Sequence, residues 1–214
     1  MTTPPRVPEH RWPAFIAIAL VIAAYAALPS SFGDLPRIIV PCIAAAIAIA
    51  LLLYNPRRFT RETRLTRAAS IGLAILLGAV NQAEVVATVA ALIDGSADPH
   101  AVLLQALRVW ITDVLVFALL YWELDREGPV ARRRDERREG VADFHFPQED
   151  LPSGVNWQPA FFDYAYFSLS NMMAFSPTDV MPLRIRAKAL MAFQAFTGFT
   201  LLALVIARAV NILA

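Results

Sequence analysis

Residues 76–116 read LLGAVNQAEVVATVAALIDGSADPHAVLLQALRVWITDVLV. Two long apolar runs flank DGSADPH (residues 94–100), whose Gly and Pro mark a turn. Crossing a hydrocarbon layer about 30 Å thick takes about 20 apolar residues at 1.5 Å each. Both runs are long enough, about Ala68–Ile93 and about Ala101–Leu124, so the stretch predicts a transmembrane hairpin. Each run carries polar residues near its middle: Asn81 and Glu84 in the first, Arg108 and Asp113 in the second. Ionisable groups at that depth are costly, so they face the bundle interior and find partners. Counting outward from a turn centred near Ala97 puts Glu84 and Arg108 at similar depth, with Asn81 and Asp113 matched one turn deeper. The expected contacts are therefore a Glu84–Arg108 pair beside an Asn81–Asp113 pair. Interhelical polar contacts in membranes give about 0.6 kcal/mol, with about 1.7 at most. That modest cohesion leaves room for an ion or proton path, although a buried pair can also persist for register alone. Both readings stay open.

The composition agrees with a membrane protein. Of 214 residues, 57% are hydrophobic and 17% charged, against about 45–50% and about 25% in soluble domains. A net charge of +1 gives no electrostatic reason to expect a nucleic-acid partner. The single cysteine, Cys42, lies in an apolar run and reads as a small buried side chain. Arg6, His10 and Arg11 precede an apolar run containing Ala24-Tyr25-Ala26, the outline of a cleavable signal. Because Trp12–Leu28 is long enough to span and a second run, Arg37–Tyr54, follows the PSSFGDLP turn, a retained helix is expected.

Between the two hairpins lies NPRRFTRETRLTR, with Arg57, Arg58, Arg61, Arg64 and Arg67. Together with Arg6, Arg11 and six arginines after Leu124, it makes one side of the four-helix part basic and places the N-terminus in the cytoplasm. Trp12, Trp122 and Trp157 fall at the expected boundaries, as an aromatic belt would. The tract Asp125–Gln158, with RRRDERRE, reads as a solvated helix or linker. Its ADFHFPQED gathers Asp143, His145, Glu149 and Asp150, but one histidine in a Pro-containing loop is weak grounds for a metal site, and none is expected. A last apolar run, about Ala187–Leu213, completes the chain. The expected organisation is a four-helix part over 1–124, a charged linker over 125–158, and a pore-loop-like half-helix with a final span over 159–214. The fold class is an all-α membrane protein, with about five transmembrane helices plus one re-entrant half-helix before the last span.

That half-helix rests on FSLSNMMAFSPTDVMP, residues 167–182. Ser168–Pro182 resembles, in register and without a gap, the S-L-T-T-L-T-T-V-G-Y-G-D-I-V-P of potassium channels. The resemblance covers about the last half of the chain and implies a pore helix, a filter loop at Asn171, Ser176, Pro177, Thr178 and Asp179, and an inner helix. It fails at the filter, where carbonyls must replace an ion's hydration shell on a backbone that glycine permits. Here Ser176 and Thr178 stand at the glycine positions and Pro177 at the tyrosine, so potassium selectivity of the usual kind is not expected. Ser176, Thr178 and Asp179 read equally well as caps of the following helix, with Pro182 suited to a first turn. The tail is also similar to bacterial multi-pass inner-membrane proteins grouped by a domain of unknown function, whose pattern runs D-F-x-Y-F-x-F-T-I-G-M-T-F-Q-V-S-D. Asp163, Tyr166, Phe167, Met173, Phe175, Asp179, Arg184, Arg186 and Asn211 stand in comparable places. This likeness implies membrane class and fold without chemistry. No nucleophile–base set or Gly-rich phosphate loop is evident, so neither an enzyme nor a cofactor is expected. The functional expectation is an oligomeric ion or proton transporter, with monovalent cations or protons as cargo and the lipid bilayer as partner. The alternative is a non-conducting membrane scaffold.

Overall fold

Thr63 sets where the third helix begins. Its hydroxyl accepts the Thr66 N–H at 3.2 Å while the Thr66 hydroxyl accepts the Thr63 N–H at 3.0 Å, a reciprocal cap. Helix formation therefore starts at Arg64, a turn earlier than the apolar run, and takes the end of the basic loop into the helix. At the other end Gly95 adopts φ 69°, in the left-handed region open to glycine, and its N–H closes on the Ala91 carbonyl at 3.2 Å. Asp98 caps the fourth helix through the Ala101 N–H, with Pro99 at its first position.

The computed structural model of the protein describes residues 10, 12–27, 34–54, 63–95, 98–133, 142–151, 157–173 and 180–213. Its elements are α1 (Trp12–Ala27), α2 (Asp34–Tyr54), α3 (Arg64–Asp94), α4 (Pro99–Leu124), α5 (Pro129–Arg133), β1 (Phe144–His145), α6 (Phe161–Met172), β2 (Met181–Pro182) and α7 (Ile185–Leu213). The fold is all-α apart from the short β1–β2 pairing. Among the described residues α3, α4 and α7 are long and apolar enough to cross a membrane, and α1 and α2 contribute shorter apolar helices. The chain is a membrane protein of apolar helices.

α4 is the axis, packed against α1, α3, α6 and α7. α1 buries Ala14, Ala17, Val21 and Tyr25, and α2 buries Ala44, Ala48 and Leu51, each set spaced by three or four residues on one face. Small residues let these backbones approach closely, as membrane helices require when no hydrophobic drive separates helix from lipid. Cys42 lies on the opposite face of α2 and is exposed, so an apolar neighbourhood in sequence did not mean burial. Trp122 also departs from expectation. It is buried at 3% exposure, edge-on to Phe161 at 5.9 Å, whereas Trp12 is exposed.

In its described parts, 125–133, 142–151 and 157–158, the charged tract is not a solvated linker; residues 134–141, with most of RRRDERRE, lie outside the described residues. After α4, Arg126 and Glu127 take φ of 48° and 64° and Gly128 takes 96°, a left-handed turn that costs non-glycine residues on the order of 1–3 kcal/mol each. What holds it is Asp125, which is fully buried. Its carboxylate accepts the backbone N–H groups of Asp143 (3.0 Å) and Phe144 (3.3 Å) and the Tyr164 hydroxyl. Arg132 in α5 donates to the carbonyls of Trp122 (2.6 Å) and Asp125 (2.7 Å), with its guanidinium over the Tyr164 ring. Arg186 binds both oxygens of Asp143, and β1 pairs with β2. Phe144 and Phe146 enter an aromatic cluster with Tyr121, Tyr164 and Phe167, centroids 5.0–5.2 Å apart for the closest pairs. The alternation of Asp143, Phe144, His145 and Phe146 is the reason: a short strand sends its rings inward and its polar groups to arginine and solvent.

This cap positions α6. Its start lies against Trp122, Ser168 donates to the Val114 carbonyl at 2.7 Å, and Met172 at its end packs with Val85, Val109, Val114 and Leu201. At 12 residues, or roughly 18 Å, α6 reaches from the C-terminal end of α4 to about its middle. β2 then stands back at the starting end beside β1. α7 runs from there to the α3–α4 turn, where Arg208 donates to the Gly95 carbonyl at 3.0 Å.

The α6–α7 contact is close at Gly198, where a Cβ would collide with the Met172 carbonyl and lie 2.8 Å from its sulfur. Gly198→Ala should destabilise the fold by about 1–3 kcal/mol, the usual cost of overpacking. Thermal melting in detergent, with the half-buried Thr200→Ala, whose hydroxyl bonds only within α7 among the described residues, as control, measures it.

Candidate functional site

The four polar residues expected within the hairpin come together on the face that α4 turns to α3. Asn81, Glu84 and Thr88 share one stripe of α3, and Gln105, Arg108 and Thr112 share one of α4, at three- and four-residue intervals. All but Gln105 are buried, Asn81 and Asp113 fully. Arg108 Nη2 donates to Glu84 Oε2 at 2.8 Å, and Arg108 Nη1 reaches the Ala24 carbonyl of α1 at 3.5 Å. One turn toward the cap, Asn81 Nδ2 and Gln82 Nε2 both donate to the same oxygen of Asp113, each at 2.7 Å. The Asn81 carbonyl in turn accepts from Thr112 (2.6 Å) and Tyr25 (3.2 Å). Gln105 donates to Thr88 at 3.0 Å, which extends the polar line along the hairpin.

Glu84 and Arg108 cancel each other's charge. Asp113 has no such partner: no basic side chain among the described residues is paired with it, and its Oδ2 is buried without a hydrogen bond. Arg108 Nε is buried unpartnered as well. Buried polar atoms are nearly always satisfied, so these two mark where the cluster is incomplete.

On the other side of α4 a second buried network joins three helices. Gln194 of α7 accepts from Tyr121 (2.7 Å) and Asn171 (2.9 Å) and donates to the Ser168 hydroxyl (2.7 Å). Asn171, expected in a filter loop, instead holds α6 to α7, with a further bond to the Met191 carbonyl at 3.0 Å. Ser176, Pro177, Thr178 and Asp179 lie outside the described residues.

Sequence reasoning missed Tyr25, Gln82 and Thr112 in the first cluster and Tyr121, Ser168 and Gln194 in the second. Gln82 and Thr112 sit directly beside Asn81 and Asp113, a signal that was available. Tyr25 was not accessible, because its partner lies on α3 and no local pattern says which helix α1 faces. The Asp143–Asp150 cluster is occupied with itself: His145 contacts Asp150 (3.0 Å) and Glu149 (3.6 Å), while Asp143 belongs to Arg186. Among the described residues no group of three or more His, Cys, Asp or Glu is placed to hold a metal.

Comparison of the chain with family models, with curated proteins and with solved structures returns no match.

Removing one partner of the Glu84–Arg108 pair leaves a buried charge uncompensated, which costs about 3–5 kcal/mol. Glu84→Gln and Arg108→Gln should each destabilise the protein by that order, and the double variant should recover part of the loss. Equilibrium unfolding in mixed micelles reads the cycle; additive single effects would show that the two side chains act independently.

Proposed function

We propose that this protein is a multi-pass inner-membrane protein with a cytoplasmic N-terminus, five spans and α6 as a re-entrant half-helix, and that it moves protons or monovalent cations across the bilayer past Asp113. The observation that carries the reading is the fully buried Asp113 carboxylate, one oxygen held by two amides and the other bare, with no counter-cation paired to it among the described residues. An intramembrane carboxylate in that state is expensive, and such groups mark ion paths and proton relays. A proton suits the site better than a larger cation. The bare oxygen of Asp113 can take a proton and so neutralise the buried charge, whereas a monovalent cation would need several oxygen ligands, and the Asn81 amide oxygen is already engaged by Thr112 and Tyr25.

The arginine distribution supports the orientation. The course of α6, from the C-terminal end of α4 to its middle with β2 back beside β1, supports the re-entrant reading. Irregular backbone next to it is tolerated at membrane depth only under protein cover or along a cavity. The apolar outer face of α7, with Phe196, Phe199, Ile206 and Val210 exposed, is where a homo-oligomer would assemble. The pore-loop likeness of 167–182 then describes shape, and potassium selectivity of the usual kind is not part of the proposal.

The bonding of Asn171 favours the second reading, a non-conducting scaffold. Its amide is consumed in joining α6 to α7, as packing alone would demand. Proteoliposomes with an internal pH dye and an imposed membrane potential separate the two. Wild-type protein should carry protons, Asp113→Asn should fall to the level of empty liposomes while folding normally, and Asp179→Asn should leave the flux unchanged. Wild-type vesicles as tight as empty ones to protons, sodium and potassium would leave the scaffold.

A further inference from the structure

A crevice of about 340 Å³ runs between α3, α4 and α7, within the size range of small-molecule sites. Its walls include Ile75, Gly78 and Ala79 of α3, Leu120 of α4 and Phe193 of α7, and its polar linings are Gln82 and Glu123. The crevice follows from how α7 is attached. Near the α3–α4 turn α7 packs on α3 through Leu92, Leu204 and Val205, and at the cap it is tied to Asp143 and the end of α4. Between these attachments α3 is shallow at Ala74, Gly78 and Ala79, with Ile71, Ile75 and Gln82 bordering them, and α7 leaves a wedge unfilled. Ile75 and Ala79 are exposed at its rim, so it opens sideways to the depth of the hydrocarbon.

Gln82 sets the chemistry of the occupant. Only its Nε2 can donate to the Asp113 carboxylate, which fixes the orientation of the amide. Its Oε1 is left with no donor among the described residues, and lipid tails offer none. Among the described residues no cation lines the crevice; Glu123, which already has a partner, lies at its cap end and Asp113 stands behind Gln82, so an anionic head is disfavoured there. We infer that the crevice binds a membrane-dissolved amphiphile with an uncharged hydroxyl head and a hydrocarbon tail, the hydroxyl donating to Gln82 Oε1 and the tail lying along Gly78, Leu120 and Phe193. The site takes its ligand laterally from the bilayer, and it does not depend on proton movement past Asp113.

The test uses the full chain in phosphatidylcholine nanodiscs with a photoactivatable diazirine analogue of hexadecanol. Adducts should concentrate on Gly78, Ala79, Leu120 and Phe193, saturate with probe, and fall to background under excess hexadecanol but not under hexadecane. Gln82→Leu should keep the labelling yet make the two competitors equivalent. Ala79→Phe, at the exposed rim and outside the packed core, should remove the labelling without changing the melting temperature. Three results would overturn the inference: adducts spread evenly over the lipid-facing helices without saturation; hexadecane competing as well as hexadecanol in the wild type; or copies cross-linking to each other across Leu120 and Phe193, which would make the wedge a subunit contact.

Discussion

A polar group at hydrocarbon depth has no solvent to turn to, and α4 carries such groups on more than one face. Toward α3 it presents Arg108, Thr112 and Asp113; toward α6 and α7 it presents the Val114 carbonyl and Tyr121. Satisfying them fixes which helix lies on which side and at what height. α3 is set by Glu84 and Asn81, α6 by Ser168, and α7 by Gln194, whose amide meets Tyr121, Ser168 and Asn171 together. Apolar packing between helices and lipid is nearly indifferent to rotation, whereas a 2.7 Å bond is not.

The same logic explains the membrane-surface cap. Asp125 ends α4 and is shielded from water, so its carboxylate needs donors, and the chain supplies them from two distant places: the N–H groups of 143 and 144, and the hydroxyl of Tyr164. One buried acid thereby closes the ring joining α4, β1 and α6. The left-handed turn at Arg126 and Glu127 is held from both sides, by Asp125 before it and by the Arg126–Glu149 pair reaching across to the strand region.

The hairpin was legible because its information is local. A turn of known composition and a rise of 1.5 Å per residue suffice to set Glu84 opposite Arg108 and Asn81 opposite Asp113. Nothing comparable exists for Tyr25, Gln194 or Tyr164, whose partners lie 56, 73 and 39 residues away, across elements whose facing is not written in either segment alone. The described parts of the tract 125–158 depart from expectation for a different reason. Its charge density dominates the composition, and the four-residue alternation at Asp143–Phe146 is too short to outweigh it. Cys42 and Trp122 show the converse: in a membrane protein an apolar neighbourhood says nothing about inside or outside, since lipid and core favour the same residues.

Asn171 stands where three helices meet. Its amide donates to the Met191 carbonyl and to Gln194 of α7, and the side chain also lies beside Tyr121 of α4. Gln194 bonds to Tyr121, Ser168 and Asn171 together, so α6 and α7 share one polar junction on α4, and loosening that single side chain would release both helices at once.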